Sequence, residues 1–176
     1  MSRPKRKRRP RSSQPQTGAT IICLEGASTA GKTTLSHAIA ARTGAAVIAE
    51  VWALFGRPSP EPPLWYLEKQ VERWRFALKS AEKHGLAILD GDPFQPLWYG
   101  WAYGFIEPHT LNMVTSFYRN AIAAGSLAFP DRYILLAVGE PELMARSERR
   151  AVNPLRLLEH LADWLGTTPP EPQGSG

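Results

Sequence analysis

Only one of the 176 residues is a cysteine, Cys23, and a lone thiol cannot build a disulfide framework. It lies inside the apolar run Ile21-Ile22-Cys23-Leu24, where it reads as a small buried residue, and a chain without disulfides suits a reducing cytoplasm. The histidines, His37, His84, His109 and His160, stand apart without metal-ligand spacing, which argues against a zinc site. Long apolar runs are also missing. None approaches the ~20 residues of a membrane span, and the N-terminus lacks the apolar stretch of a secretory signal, so no membrane partner is expected.

No acidic residue precedes Glu25, whereas seven of the 21 Lys and Arg fall in the first eleven residues. The other 14 basic residues face 16 acidic ones, so the chain beyond the tail carries −2 although the whole carries +5. Residues 1–18 are Arg, Lys, Pro, Ser and Gln with almost nothing to bury, and are expected to form a disordered tail. Such a tail is either a solubilising extension or an electrostatic arm, and any nucleic-acid contact is expected only through it. One folded domain is expected over 19–166, with a flexible Pro/Gly-rich end over 167–176; both monomer and homodimer remain open.

The informative stretch is Gly26-Ala27-Ser28-Thr29-Ala30-Gly31-Lys32-Thr33-Thr34, which fits G-x-x-x-x-G-K-[ST]. Its glycines permit torsions closed to other residues, so successive N–H groups can turn towards anionic oxygens while a following helix adds the positive end of its dipole. In this setting Lys32 bridges terminal phosphates and the Thr33 hydroxyl ligates a magnesium ion. The context agrees, with an apolar strand expected over Thr20 to Glu25 and a helix over Thr33 to Thr43, ended by Gly44.

Further along, a short strand is expected over Ala46 to Val51 and a proline-rich loop over Leu54 to Pro63. A long helix then runs from Leu64 to His84, its stripe Leu64, Leu67, Val71, Trp74, Leu78, Ala81 spaced by three and four. A third strand, Leu86 to Leu89, delivers Asp90 and Asp92 at its carboxyl end, where open parallel sheets bind ligands. Pro93 to Phe105 carries six aromatic residues, including Phe94 and Trp98, and reads as an irregular helix or loop. These rings either stack on a planar substrate or pack against the long helix through Trp65 and Trp74. A helix over His109 to Ala124, a strand over Tyr133 to Val138 and helices over Glu140 to Arg150 and Pro154 to Leu165 complete the series, with Asp131-Arg132-Tyr133 read as a strand boundary. The class is α/β: a doubly wound parallel sheet of the P-loop NTPase type, about four strands, helices on both faces, the fifth strand missing after Leu165.

Phosphoryl transfer requires a phosphate cradle, a metal, a group to take the acceptor proton and cations for the spreading charge. Glu50, closing the second strand, would face the acceptor and take its proton. Asp90 fits the magnesium shell with Thr33, and Asp92 faces the acceptor or builds a turn. Arg146, Arg149 and Arg150 fall within about one helical turn and would clamp phosphates.

The run Leu24-Glu25-Gly26 through Thr34, followed by Glu50 with Trp52 nearby, resembles the opening of the deoxynucleoside kinases and, more loosely, the thymidylate kinases. That resemblance implies ATP as donor, Mg²⁺, a small-molecule acceptor such as a nucleoside or nucleotide, and Glu50 as the base for a 5′-hydroxyl. Trp65 and Gln70 are similar to a stretch whose glutamine hydrogen-bonds a nucleobase, and Ile134 to Val138 with Glu142, Arg146 and Arg149-Arg150 is similar to a last strand and phosphate-contacting lid. There is a departure: Asp90-Gly91-Asp92 stands where that family has Glu-Arg-Ser. The acidic, aromatic segment is also similar to small-molecule P-loop kinases of the chloramphenicol phosphotransferase type, so an antibiotic or another metabolite is the alternative acceptor. A nucleotide-binding protein without kinase activity, docking nucleic acid through its tail, is the alternative of a different class.

Overall fold

The computed structural model describes residues 18–105 and 109–149. Residues 1–17 of the basic tail, Arg150, the helix expected over 154–165 and the end over 167–176 lie outside the described residues.

The fold is built on β1 (Thr20–Gly26), whose uninterrupted apolar residues feed two different cores. Ile21 and Cys23 join the larger cluster with Leu67, Trp74, Val114 and Tyr118, while Ile22 and Leu24 join a smaller one with Ile88 on the opposite face. A strand buried on both sides is central, and β1 pairs in parallel with β3 (Leu86–Asp90) on one side and β4 (Arg132–Leu136) on the other. The strand β2 (Ala46–Ile48) pairs in parallel with β3, giving the order β2-β3-β1-β4 among the described residues.

Helix α1 (Lys32–Thr43) lays Leu35 and Ile39 against the smaller cluster. Leu67, Val71, Trp74, Ala77 and Ala81 of α3 (Trp65–His84) form the stripe that meets the larger one, joined by α5 (Leu111–Ala123). Leu64 and Leu78, expected in that stripe, are 39% and 40% exposed, Leu64 being the N-cap and Ala77 taking the buried place beside Leu78. Among the described residues no helix is long and apolar enough to cross a membrane.

Two segments differ from the sequence reading by more than one or two residues at an end. The second strand stops at Ile48, so Glu50 does not close it; Glu50 is the N-cap of a short helix, α2 (Val51–Phe55), placed where strand end and loop were expected. The β-branched Val51 reads locally as strand, but tertiary packing decides: Val51 is fully buried, and Trp52 packs against Trp65 and Tyr66 with centroids 5.6 and 4.8 Å away. The aromatic stretch is a regular helix, α4 (Gln95–Tyr103). Pro96 sits in its first turn, where a missing N–H breaks no hydrogen bond. Beyond β4, α6 (Glu140–Arg149) returns across the carboxyl edge of the sheet.

Candidate active site

Parallel pairing brings the carboxyl ends of β1, β3 and β4 together, with Leu24 beside Asp90 and Gly26 beside Leu136. Gly26 is required there: at φ 149° a Cβ would lie 2.6 Å from the Leu136 carbonyl oxygen. The loop continues through Thr29 in the left-handed region, φ 64°, to Gly31, φ 104°, which caps α1 without a side-chain bond and accepts from the Leu35 amide at 2.9 Å. With no cap side chain, the first amides of α1 are left to a ligand. Lys32 Nζ folds back on the loop, donating to Gly26 O at 2.9 Å and Ala27 O at 3.2 Å.

Thr33 Oγ1 donates to Asp90 Oδ2 at 2.6 Å, joining α1 to the end of β3. Asp90 is 4% exposed and its Oδ1 has no hydrogen-bond partner. An unpartnered buried carboxylate oxygen beside a hydroxyl suits a hard cation that takes few protein oxygens and keeps its remaining positions for water and phosphate. No group of three or more His, Cys, Asp and Glu that could hold a metal occurs among the described residues. On the outer side of the loop, Arg146 Nη1 donates to Ala30 O at 3.0 Å while its Nε donates to Glu142 at 2.8 Å. A cavity of about 630 Å³ opens there, bordered by Gly31, Thr34, Ala38, Leu136 and Arg146. Arg149 ends α6.

Glu50 lies on the β2 side. Gly91, at φ 88°, leaves room for it: a Cβ would lie 3.4 Å from Glu50 Oε1 and 2.8 Å from Gln95 Nε2. Burial pushes the Glu50 carboxyl above the ordinary carboxylate value, and the nearby Lys32 ammonium opposes the shift. The two arms carrying Glu50 and Asp90 are tied by a residue the sequence reading missed. Arg73 of α3, 1% exposed, donates to Ala49 O at 2.7 Å, Asp90 O at 2.6 Å, Gly91 O at 2.9 Å and Gln70 Oε1 at 3.2 Å. One guanidinium therefore holds the ends of β2 and β3 in register. The available signal was a pair of polar residues, Gln70 and Arg73, at three-residue spacing beside the apolar stripe.

Asp92 lies on the β1/β4 side. Its amide donates to Glu25 Oε2 at 2.9 Å, and Glu25 Oε1 accepts from Gly26 N at 3.0 Å. Its carboxylate accepts from Phe94 N at 3.1 Å, Trp98 Nε1 at 2.9 Å and Tyr133 Oη at 3.3 Å. Glu25 and Tyr133 were also missed; Tyr133, in the stretch set aside as a boundary, faces the site because its register partner is Cys23. Asp92, Phe94 and Trp98 border one aromatic cavity of about 640 Å³, which Glu50 and Gln70 do not line. Gln70 is 1% exposed, its Oε1 taken by Arg73. The aromatic residues of the segment divide: Tyr99 packs with Val51, Tyr66 and Trp65, Phe94 with Tyr118 and Phe129, and Trp98 stays 59% exposed.

No protein-family model and no curated protein matches the chain. Solved structures do. Thymidylate kinase from Ehrlichia chaffeensis is 16% identical over 82% of this chain and 84% of its own, with a TM-score of 0.49. Deoxyadenosine kinase from M. mycoides, solved with dCMP and a flexible dCDP bound, is 17% identical over 83% of this chain and 81% of its own, with a TM-score of 0.50. The four-stranded parallel sheet with its flanking helices thus has the fold of the P-loop nucleoside and nucleotide kinases.

Proposed function

We propose that the chain is a phosphotransferase that moves the γ-phosphate of ATP to a small acceptor, with a nucleoside or nucleotide as the leading class. The carrying observation is the pair Thr33 Oγ1 to Asp90 Oδ2 at 2.6 Å, with the second Asp90 oxygen unpartnered, one residue beyond Lys32. A glycine-rich turn alone has no need of a buried carboxylate aimed at the first turn of its helix.

The loop amides and Lys32 bind the donor phosphates, and Thr33 with Asp90 would hold Mg²⁺. The chemistry such an ion would supply is neutralisation of the donor's phosphate charge. An acceptor hydroxyl oxygen attacks the γ-phosphorus, the bond to the bridging oxygen of ADP breaks, and the hydroxyl proton passes to a carboxylate. Glu50 suits that task, since its raised pKa brings it nearer the working pH; a positioned base contributes about 10²–10⁴-fold. Arg146, already at the loop, supplies positive charge to the transferring phosphate.

The test is labelled ATP with a panel of nucleosides, nucleotides and amphenicol- or aminoglycoside-like alcohols. Lys32→Ala is expected to abolish product while leaving the circular dichroism spectrum and melting temperature unchanged. Wild-type rates in Lys32→Ala would overturn the reading.

A further inference from the structure

We propose that the aromatic cavity beside Asp92 binds an uncharged, planar aromatic alcohol and rejects the phosphate ester of the same compound. Its volume, about 640 Å³, is that of a small-molecule site, and Phe94, Leu97, Trp98, Phe129 and Tyr133 line it. Three of these are large apolar residues left open: Trp98 is 59% exposed, Phe129 63% and Tyr133 46%. Grouped exposure of this kind marks a binding surface, whereas single exposed rings are ordinary. Phe94 and Phe129 are already stacked, with centroids 4.6 Å apart and planes 24° from parallel, so the wall that a flat ligand would meet is preformed.

The polar inventory narrows the ligand further. The hydrogen-bonding side chains at the cavity are Asp92, Trp98, Tyr133 and Trp101; the Trp98 indole N–H and the Tyr133 phenol O–H are spent on the Asp92 carboxylate, and Trp101 is 82% exposed. At the Asp92 end, therefore, an acceptor group of a ligand finds no free donor on Trp98 or Tyr133, and a buried polar group without a partner is costly. A carboxylate offers about four acceptor positions. Oδ1 uses two, for Phe94 N and Tyr133 Oη, and Oδ2 uses one, for Trp98 Nε1. The remaining position on Oδ2 takes a donor, which an alcohol supplies and a phosphate dianion does not. Among the described residues no Lys or Arg lines the cavity to offset a phosphate charge against the Asp92 carboxylate. The Asp92 amide lies two hydrogen bonds, through Glu25, from the first amide of the loop, so the polar end of the cavity adjoins the donor site.

The assignment rests on the phosphotransferase reading only for the fate of the bound hydroxyl, and one experiment separates the two. The full chain is titrated calorimetrically with 2-naphthalenemethanol and with 2-naphthylmethyl phosphate. The alcohol is expected to bind in the micromolar range and the ester at least about tenfold more weakly, given like charge at short range. Trp98→Ala and, independently, Phe129→Ala are expected to weaken the alcohol at least about tenfold, and Asp92→Asn to narrow the gap between the two compounds. No alcohol binding at millimolar concentration, equal affinity for the ester, or unchanged affinity in both aromatic variants overturns the assignment. Mg²⁺-ATP is then added. Alcohol binding without phosphorylated product upholds the cavity and removes it as the acceptor site of the phosphotransferase.

Discussion

Glu50 is held by contradictory demands. Burial favours its neutral form, while a proton acceptor must be charged, and its raised pKa records the balance. For a carboxyl whose pKa is higher in the folded than in the unfolded chain, the protonated form favours folding. That contribution is complete below the unfolded value of about 4.5 and is lost as pH rises through the folded value. Glu50→Gln is therefore expected to match the wild-type melting temperature near pH 4 and to equal or exceed it near pH 8, while turnover falls about 10²–10⁴-fold at pH 8. Paired thermal melts and initial rates check both halves. Wild-type turnover in Glu50→Gln would remove it as the base. In the wild type, the acidic limb of kcat should lie above the ordinary carboxylate range.

At the scale of elements, the site is a junction of strand ends, and α3 sets the junction through Arg73. Replacing its guanidinium by an apolar side chain leaves the carbonyls of Ala49, Asp90 and Gly91 buried without their donor. Arg73→Met is expected to cost about 2–5 kcal/mol in urea denaturation, since each orphaned group costs about 1–3 kcal/mol and the losses are not additive. Arg73→Lys should recover little, because one ammonium cannot fork between the ends of β2 and β3. Any variant that still folds should lose kcat more than ATP affinity, since the displaced groups are Glu50 and Asp90 and the loop amides are untouched. Equal stability of Arg73→Met and wild type would show the fork to be dispensable.

For the molecule as a whole, the local readings agree in outline with the fold, although Leu64 and Leu78 of the expected α3 stripe are exposed. The loop motif, the apolar run of β1 and the stripe of α3 each express a short-range rule, and the parallel sheet follows from their alternation. The end of β2 was misread because Val51 is β-branched and only packing against Tyr66 and Trp65, more than ten positions away, makes it helical. Arg73 was missed because what it binds is main chain, which no residue letter reveals. The cavity at Asp92 depends on Phe129 and Tyr133, over thirty positions away, and on the register that aligns Tyr133 with Cys23. At the margin of the sheet, β4 exposes Leu135 to 72% and Ile134 to 39%, and among the described residues it pairs only with β1. An apolar edge strand is a template for association. Leu135→Lys is expected to change stability by less than about 0.5 kcal/mol and to reduce concentration-dependent light scattering. A loss of several kcal/mol would instead place Leu135 inside a packed core.

Glu25 touches both halves of the site at once, one oxygen on the Gly26 amide and the other on the Asp92 amide. A change at either half is felt through a single carboxylate, and linkage makes the effect reciprocal: the factor by which a filled aromatic cavity alters ADP affinity must equal the factor by which ADP alters cavity affinity. Titrating ADP with and without 2-naphthalenemethanol measures that factor, and Glu25→Ala is expected to bring it to one while each ligand still binds alone. A factor unchanged by the substitution would route the communication elsewhere. On the proposed two-substrate reading, the order in which donor and acceptor arrive would turn on one side chain, and binding could be tuned between random and ordered by a change at Glu25 alone.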